Sequence, residues 1–362
     1  TVARLGGDEF TVILSDLDDL QQVDHIARQI LDGLLAPFVL GQEQAFVSAS
    51  IGITLYPDDA GNIEDLLKQA DQAMYVSKGA GRNRYSYFTP AMQVAAVNRM
   101  RLAADLRTAL REQQMRLYYQ PIVELHSGKL VKAEALLRWQ HPQRGVVCPP
   151  DFLALAESSG LIVEIGDWVL RTAAAQLLDW RAQGHAIGLP GLQLCLNQSS
   201  LELQREVEAP GTWLRQLMAL DVPASAIVLD MREDVLLPNG NSMAPRLQHL
   251  REAGLQIALD DFGSGHASLT QLQQCGVDYL KLDGVLVRKL VPGASELALC
   301  EAVVTMAHKL GLQVIAEGVE TQEQRALLLE TGCDFAQGEL FAPPLVIDAF
   351  DALLRARQPL HP

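Results

Sequence analysis

Several polar side chains stand directly after short runs of apolar, β-forming residues, and their types could do metal-assisted chemistry on phosphate esters. They are five carboxylates, two carboxamides and one lysine: Glu134, Asn197, Asp230, Asp260, Asp261, Lys281, Glu317 and Gln337. The steps between the seven strand ends that carry them are 63, 33, 30, 21, 36 and 20 residues. Most of these steps match one βα unit, and the first is long enough for two.

If these side chains meet, their carboxylates repel one another unless a cation lies between them. Oxygen donors without histidine favour Mg²⁺ or Mn²⁺ over zinc. The adjacent Asp260 and Asp261 could place one carboxylate between two ions. Two ions about 3.5–4 Å apart suit in-line cleavage of a phosphoester, because both the attacking and the leaving oxygen are then stabilised.

Each of these residues, taken singly, also has a structural explanation. Glu134 could be a solvated loop residue, and Asn197 could be a turn residue. The Asp260-Asp261 pair could cap a helix, and Lys281 could be a surface charge. Independent explanations do not account for the same pattern at successive strand ends, so the joint functional interpretation is favoured.

The elements that would position these residues alternate from Leu117 onward between β-type runs and helical stretches. This alternation predicts βαβ units and a parallel sheet. About 250 residues with roughly eight strands fit a closed (β/α)8, TIM-like barrel, whose active site lies at the carboxyl ends of the strands. Polar residues at those ends would therefore converge on one mouth.

The first part of the chain is built differently. Gly6-Gly7-Asp8-Glu9-Phe10 lies between two β-type runs and predicts a hairpin. We expect helices near 23–35 and 63–78 and a strand over 46–55.

A further helix is predicted over 100–112, because Leu102, Leu106 and Leu110 repeat every four residues. It either joins the two regions or packs on the second one. The sequence thus suggests an α/β region over 1–88, a linker helix region over 89–112 and a barrel over 113–358.

Composition excludes some functions. The formal charge is 29 − 44 = −15, which makes the chain a poor ligand for long nucleic acid. A small anion could still bind where metal ions supply positive charge. Five cysteines without a CxxC pair indicate buried thiols in a reducing compartment. Without a signal-peptide pattern or an apolar run of about 18 residues, we expect a cytoplasmic portion of a larger sensor or membrane-anchored protein.

The segment Glu134-Ala135-Leu136-Leu137-Arg138-Trp139 resembles the signature of EAL domains, bacterial phosphodiesterases that open the cyclic dinucleotide c-di-GMP. The resemblance spans about 100–354, and further motifs follow in the family's order. These are Tyr119-Gln120-Pro121, Asn197 with Ser199, Asp260-Asp261-Phe262-Gly263, Lys281-Leu282-Asp283, Ala316-Glu317-Gly318-Val319-Glu320 and Gln337-Gly338.

The resemblance implies hydrolysis of c-di-GMP to linear pGpG with two Mg²⁺ or Mn²⁺ ions. It assigns the first ion to Glu134, Asn197, Asp230 and Asp260, and the second to Asp260, Asp261 and Glu317. Lys281 would hydrogen-bond the attacking water. The resemblance also makes Glu317 a candidate general base for that water.

The resemblance also implies substrate contacts and a dimer. Arg138 would hold a substrate phosphate, a task that suits a guanidinium fork. Gln120 and Asp283 would contact the substrate, and Gln337 would help to fix the site. Glu233 is similar to a glutamate that positions the loop after Asp261. Metal binding and dimer contacts meet at that loop, so a homodimer through the EAL domain is expected.

Departures from the family pattern predict slow or strongly regulated activity. Asp230 stands where a glutamate is usual, so its carboxylate lies one methylene further back. His266 and Ala267 change the loop after Asp261. Glu339 replaces a common tyrosine, and the segment Ala342-Pro343-Pro344 lacks the usual arginine. The alternative to an enzyme is a c-di-GMP receptor that binds without cutting, for which the change at position 230 is the main argument.

The motif Gly6 to Phe10, together with Lys78 and Gly81-Arg82-Asn83, resembles the later half of a GGDEF (diguanylate cyclase) domain. By this resemblance Asp8 and Glu9 are metal and catalytic acids, and Lys78 and Arg82 contact a triphosphate. The family's first strand and its guanine-reading helix are not found in this sequence, so we do not expect a complete cyclase site here. In the parent protein the domain could be a cyclase or a GTP-sensing regulator.

Overall fold

The chain separates into two compact units, Thr1–Ala104 and Asp105–Pro362. The structure, a computed structural model, describes residues 1–360 except positions 16, 18, 42, 183–190, 209–210, 234–239, 263–271, 273–275 and 357. The finer division at positions 88 and 112 that the sequence suggests stays a prediction.

The first unit has an α/β organisation. Its elements in chain order are β1 (Val2–Gly6), β2 (Glu9–Val12), α1 (Leu20–Leu35), β3 (Phe38–Leu40), β4 (Glu43–Ala45), β5 (Ser50–Ile53), α2 (Ile63–Gly79) and β6 (Arg84–Tyr87). β1 and β2 pair antiparallel around Gly7, whose φ of 54° suits glycine. The predicted hairpin and both predicted helices are confirmed. The strand expected over 46–55 is shorter, because only four of its residues pair, in parallel, with the unexpected strand β6.

Helix α3 (Pro90–Ala109) contains the boundary between the two units. The sequence predicted this helix over 100–112, and the structure starts it ten residues earlier. A proline suits the first helical position, where its missing N–H costs nothing and its fixed φ is helical. The helix ends three residues before the expected end, since Gln113 adopts a φ of 54° and Gln114 N–H returns to the Ala109 carbonyl at 2.8 Å.

The second unit is built mainly from strands alternating with helices. Its elements after α3 are β7 (Met115–Glu124), β8 (Leu130–His141), β9 (Gly145–Val147), α4 (Pro149–Ser158), α5 (Leu161–Ala182), β10 (Gln193–Gln198), α6 (Ser200–Glu208), α7 (Thr212–Ala219), β11 (Ile227–Arg232), α8 (Gly240–Glu252), β12 (Gln256–Phe262), β13 (Tyr279–Leu282), α9 (Gly284–Val287), α10 (Ser295–Lys309), β14 (Gln313–Ala316), α11 (Gln322–Glu330), β15 (Phe335–Ala336) and α12 (Ile347–Ala356), with a 3-10 helix at Ala224–Ala226.

Among the described residues, eight strands close into a barrel in the order β7, β8, β10, β11, β12, β13, β14, β15, and β15 pairs with β7. This confirms the predicted (β/α)8, TIM-like barrel, with one correction to the expected parallel sheet. β7 runs antiparallel to both neighbours, because a short turn rather than a crossover helix joins it to β8. The described part of the 63-residue interval between Glu134 and Asn197 contains no additional barrel strand, since β8 pairs directly with β10.

The cysteines correct one expectation. Cys195, Cys300 and Cys333 are buried free thiols, as predicted, but Cys148 is exposed. The remaining cysteine, Cys275, lies outside the described residues. No helix in the described part of the chain combines the length and the apolar character that crossing a membrane would require.

Candidate active site

The predicted site residues form one layer of the barrel interior, directly above an apolar layer. The apolar layer consists of Ile122, Cys195, Val228, Ala258, Tyr279, Ile315 and Phe335. Strand side chains alternate between the two faces of a sheet, so residues two positions apart point the same way. The residues two positions nearer the mouth are Gln120, Asn197, Asp230, Asp260, Lys281, Glu317 and Gln337. On β8, Glu134 follows Lys132 at the same interval.

Glu134 does not end its strand, contrary to the pattern predicted from the sequence. It lies in the middle of β8, which continues to His141. The pairing of β8 with β10 stops one residue later, at Ala135 with Leu196. Beyond that point β8 pairs with β7 and β9 instead, so the barrel wall ends at Glu134 although the strand does not.

The Lys281 ammonium lies at the centre of the layer and is fully buried. Its Nζ is 2.6 Å from Glu317 Oε1 and 2.9 Å from Asp230 Oδ2. Asp260 Oδ1 lies at 3.6 Å and Glu134 Oε2 at 3.8 Å. Four carboxylates from four strands thus surround one positive charge. This part of the barrel therefore has fewer cationic groups than carboxylates.

Carboxamides hold the Glu134 carboxylate from two sides. Asn197 Nδ2 donates to its Oε1 at 2.6 Å, and Gln337 Nε2 donates to its Oε2 at 2.6 Å. Gln337 Nε2 also donates to Gln120 Oε1 at 2.9 Å, and Gln120 Nε2 donates to the Ala342 carbonyl at 3.0 Å. This chain of hydrogen bonds connects Glu134 to the backbone at Ala342, near the C-terminal end of the sequence.

The two neighbouring aspartates adopt different conformations. Asp261 has a φ of 56°, a left-handed conformation that aspartate tolerates better than most residues. Its N–H donates to Asp260 Oδ1 at 2.9 Å, and its Oδ2 lies 3.8 Å from Arg232 Nε. Burial, followed by the charges of Asp260 and Asp283, raises the pKa of Asp261.

Burial and crowding dominate the electrostatics of the layer. Burial raises the pKa of Asp230 to about 7 and that of Glu317 to about 8, although Lys281 opposes both shifts. For Lys281 itself, burial disfavours the charge, but the surrounding carboxylates outweigh it and hold its pKa well above the usual range. Additional positive charge at this place would therefore stabilise the ionised carboxylates.

The donor set fits hard cations, although the side chains are gathered around Lys281. In the part of the chain that the structure describes, no three His, Cys, Asp or Glu side chains stand ready to hold an ion. Two buried acceptors, Asp230 Oδ1 and Gln337 Oε1, have no hydrogen-bond partner among the described residues. These oxygen acceptors lie next to carboxylates whose charge the single ammonium does not balance. Mg²⁺ and Mn²⁺ prefer oxygen ligands of this kind.

Other predicted residues follow members of this layer by two to four positions along the chain. Arg138 is half-buried and stacks over Tyr118 at 5.6 Å, and its Nη1 donates to the Leu137 carbonyl at 2.8 Å. Asp283 caps α9 by accepting from Val285 N–H at 2.7 Å. Glu233 is buried just after β11. The loop that it would position, including His266 and Ala267, lies outside the described residues.

The residues of the GGDEF-like motif are exposed. Asp8 and Glu9 follow the turn at Gly6 and Gly7, and Lys78 lies near the end of α2. Arg82 has a φ of 57°. Among the described residues no hydrogen bond or ion pair joins these side chains, so their joint role stays a prediction.

Sequence reasoning missed two cations of the barrel. Arg232 forms the ion pair with Asp261 described above. Lys132 is 4% exposed and takes the β8 position in the otherwise apolar layer. Its place two residues before Glu134 could have indicated that it points inward. A lysine in a strand, however, is usually expected to be exposed to solvent.

The geometry agrees with comparisons to known proteins. The family model of the EAL domain matches residues 103–344, and that of the diguanylate cyclase GGDEF domain matches residues 1–84. The chain belongs to the EAL domain family, with a GGDEF region at its start.

Relatives and a solved structure are similar to most of this chain. The cyclic di-GMP phosphodiesterase NbdA of Pseudomonas aeruginosa is 36% identical over 360 residues, which are 98% of this chain and 45% of NbdA. The cyclic di-GMP phosphodiesterase PdeR of Escherichia coli is 36% identical over 351 residues, which are 97% and 52% of the two chains. The solved c-di-GMP complex of the PaMucR phosphodiesterase superposes with a TM-score of 0.63 at 34% identity, over 69% of this chain and 99% of that one. The chain spans about half the length of the curated relatives it matches.

Proposed function

We propose that the barrel hydrolyses c-di-GMP to linear pGpG with the help of two Mg²⁺ or Mn²⁺ ions. The observation that carries this proposal is the layer of carboxylates and carboxamides around Lys281 at the barrel mouth. Relatives named as c-di-GMP phosphodiesterases match the barrel along its whole length. The same proposal includes a homodimer through the EAL domain and GTP binding by a complete GGDEF domain.

The layer offers ligands for two ions. Glu134, Asn197, Asp230 and Asp260 would hold the first, and Asp260, Asp261 and Glu317 the second. Bound there, the ions would lower the pKa of a water and stabilise the attacking and leaving oxygens of the phosphodiester. The unpartnered Asp230 Oδ1 supports this assignment, because a buried acceptor without a donor is costly unless something binds to it.

The chain's own residues would orient the substrate and manage charge. Arg138 would bind the phosphate that is cut, with Gln120 and Asp283 contacting the rest of the dinucleotide. Lys281 Nζ, held by Asp230 and Glu317, would donate a hydrogen bond to the attacking water. Gln337 would keep Glu134 in place through its 2.6 Å hydrogen bond.

The second candidate function is a receptor that binds c-di-GMP without cutting it. Asp230 favours this candidate, because its shorter side chain is fully buried and already paired with Lys281. The enzyme remains the better-supported proposal, since Glu134, Asp260, Asp261, Lys281 and Glu317 are all retained.

The test is incubation of the purified 362-residue chain with c-di-GMP and Mn²⁺, followed by chromatography of the products. We expect pGpG from the unaltered chain and a loss of at least about a hundredfold in rate for Glu134→Ala, since an ion ligand is removed. Glu330→Ala, at the exposed end of α11, is the matched control and should keep full activity. Binding without pGpG would select the receptor, and an unchanged rate for Glu134→Ala would reject the site assignment.

A further inference from the structure

Arg288, immediately after α9, places its guanidinium against two glycines at the barrel mouth. A Cβ atom added to Gly284 or to Gly318 would lie 3.1 Å from Arg288 Nη1 in both cases. Gly284 directly follows Asp283 at the end of β13, and Gly318 directly follows Glu317 at the end of β14. The guanidinium therefore lies over the backbone next to two residues of the proposed site.

This guanidinium is available for a ligand. Arg288 is an exposed residue, and in the described part of the chain its guanidinium has neither a hydrogen bond nor an ion pair. Its main-chain carbonyl accepts from Gln324 Nε2 at 3.3 Å, which anchors the backbone at this point. An anchored arginine with free donors beside an acidic mouth can neutralise a bound anion.

Arg288 and Arg138 belong to opposite sides of the barrel. Arg138 belongs to β8, and Arg288 stands at the ends of β13 and β14. Three strands separate β8 from β13 in either direction around the closed barrel, so β8 and β13 are on opposite sides. A ligand that fills the mouth and carries one anionic group at each side would meet a guanidinium at both.

We propose that Arg288 is a further substrate-binding residue, which binds the phosphodiester of the cyclic dinucleotide that is not being cut. The inference rests on the proposed function, because c-di-GMP carries two phosphodiesters and only one can occupy the site of cleavage. Arg138 and the ions would hold the first, and Arg288 holds the second. Removing Arg288 takes away binding that is equal in ground and transition state, which raises KM and leaves kcat unchanged.

The two glycines make room for this contact. The φ of Gly318 is +68°, which itself favours glycine, whereas Gly284 has an ordinary φ. The substitution Gly284→Ala therefore adds a methyl group without straining the backbone. That methyl would shift the guanidinium by a few tenths of an ångström, because 3.1 Å is closer than a Cβ atom and a nitrogen normally approach.

The experiment compares c-di-GMP with bis(p-nitrophenyl) phosphate, a phosphodiester with a single phosphate, using the purified chain with Mn²⁺. For Arg288→Ala we expect KM for c-di-GMP to rise about tenfold or more with kcat unchanged, and no change with the small substrate. Arg288→Lys should recover most of the affinity, since a point charge also attracts phosphate. Lys309→Gln, an exposed charge at the far end of α10, is the control and should change nothing.

A double-mutant cycle tests the contact itself. Gly284→Ala alone should raise KM for c-di-GMP, and it should have no further effect when Arg288 is already alanine. An unchanged KM in Arg288→Ala, equal losses on both substrates, or a lysine variant as weak as alanine would each overturn the proposal.

Equilibrium binding of c-di-GMP in EDTA separates this inference from the proposed function. A chain that binds but never cuts would refute the phosphodiesterase, yet a tenfold weaker Kd in Arg288→Ala would still support the phosphate contact. If the unaltered chain and Arg288→Ala cut c-di-GMP with the same KM, only the contact between Arg288 and the phosphodiester would be refuted. No binding and no cleavage by the unaltered chain would refute both.

Discussion

At the scale of single residues, the site is organised around a buried lysine rather than around a preformed set of ion ligands. Lys281 Nζ lies within 4 Å of four carboxylates, and Asp230 is its most buried partner. Breaking a buried ion pair on one side usually costs several kcal/mol, because the remaining charge has no solvent. The chemistry of Asp230 is therefore tied to Lys281 and, in the proposed function, also to an ion.

The substitution Asp230→Glu tests how the short side chain limits the ion. The added methylene brings the carboxylate nearer to the mouth, so we expect the Mn²⁺ concentration for half-maximal activity to fall roughly fivefold, equivalent to about 1 kcal/mol. The measurement is phosphodiesterase rate against Mn²⁺ concentration.

Asp230→Asn is the control, since it keeps the size of the side chain and removes its charge. It should raise the Mn²⁺ requirement. Because the position is fully buried, urea unfolding of both variants must accompany the kinetics. An unchanged Mn²⁺ dependence in Asp230→Glu would mean that this carboxylate does not limit ion binding.

At the scale of elements, a polar cluster that includes Lys132 and Tyr279 of the apolar layer joins four strands of the barrel. Lys132 on β8 donates to Tyr279 Oη on β13 at 3.0 Å, and that hydroxyl donates to Gln256 Oε1 on β12 at 3.0 Å. Gln193 on β10 hydrogen-bonds both Lys132 and Gln256 and reaches the Ser225 carbonyl at 2.8 Å. Strands β8 and β13 carry Glu134 and Lys281 two residues further on, so this cluster helps to fix their relative positions.

Removing one hydroxyl from this cluster should destabilise the barrel. In Tyr279→Phe the ammonium of Lys132 and the oxygen of Gln256 lose a shared partner, and we expect a loss of about 1–3 kcal/mol in the free energy of unfolding. Urea unfolding measures it. Tyr118→Phe is the matched control in the same barrel, because no hydrogen bond of the Tyr118 hydroxyl is found among the described residues. Equal effects of the two substitutions would show that the cluster contributes nothing specific.

At the scale of the whole molecule, we expect the net charge of −15 and the carboxylate layer to make stability depend on pH and, if the proposed ions bind, on divalent ions. Asp230 and Glu317 have pKa values raised from 3.8 to about 7 and from 4.5 to about 8, with burial as the main cause. Glu202 is raised to about 7 by burial as well. Protons held by these groups in the native state are already lost by the unfolded chain near neutral pH.

The sign of the pH dependence follows from these shifts. Groups with raised native pKa values stabilise the fold fully below their ordinary values, and the contribution is lost as the pH rises through about 7 to about 8. We therefore expect the Tm in EDTA to fall between about pH 5 and pH 8, and Mn²⁺ to raise it most at the higher pH.

Calorimetry with and without Mn²⁺ checks this expectation. The double variant Asp230→Asn, Glu317→Gln should show a shallower fall in EDTA and a smaller gain from Mn²⁺. A Tm that stays level or rises over this pH range would contradict the assigned shifts.

The sequence by itself determined the barrel and the membership of its polar layer. Strand side chains alternate with a period of two, so an apolar run that ends in Asn197, Asp230, Asp260, Lys281 or Glu317 fixes which side chains share a face. Closure of the sheet then places them together. The prediction was wrong on two points that a local pattern of residue types does not contain. β7 runs antiparallel to its neighbours, and β8 continues past Glu134.

Only the tertiary structure decided what each charge faces. It placed the Lys281 ammonium closest to Glu317 and Asp230, put Lys132 into the apolar layer, and set Arg288 over Gly284 and Gly318. These outcomes depend on long side chains that can reach in several directions from the same backbone position. Distances between strands far apart in the chain select one direction, and a pattern of residue types along the sequence contains no such distances.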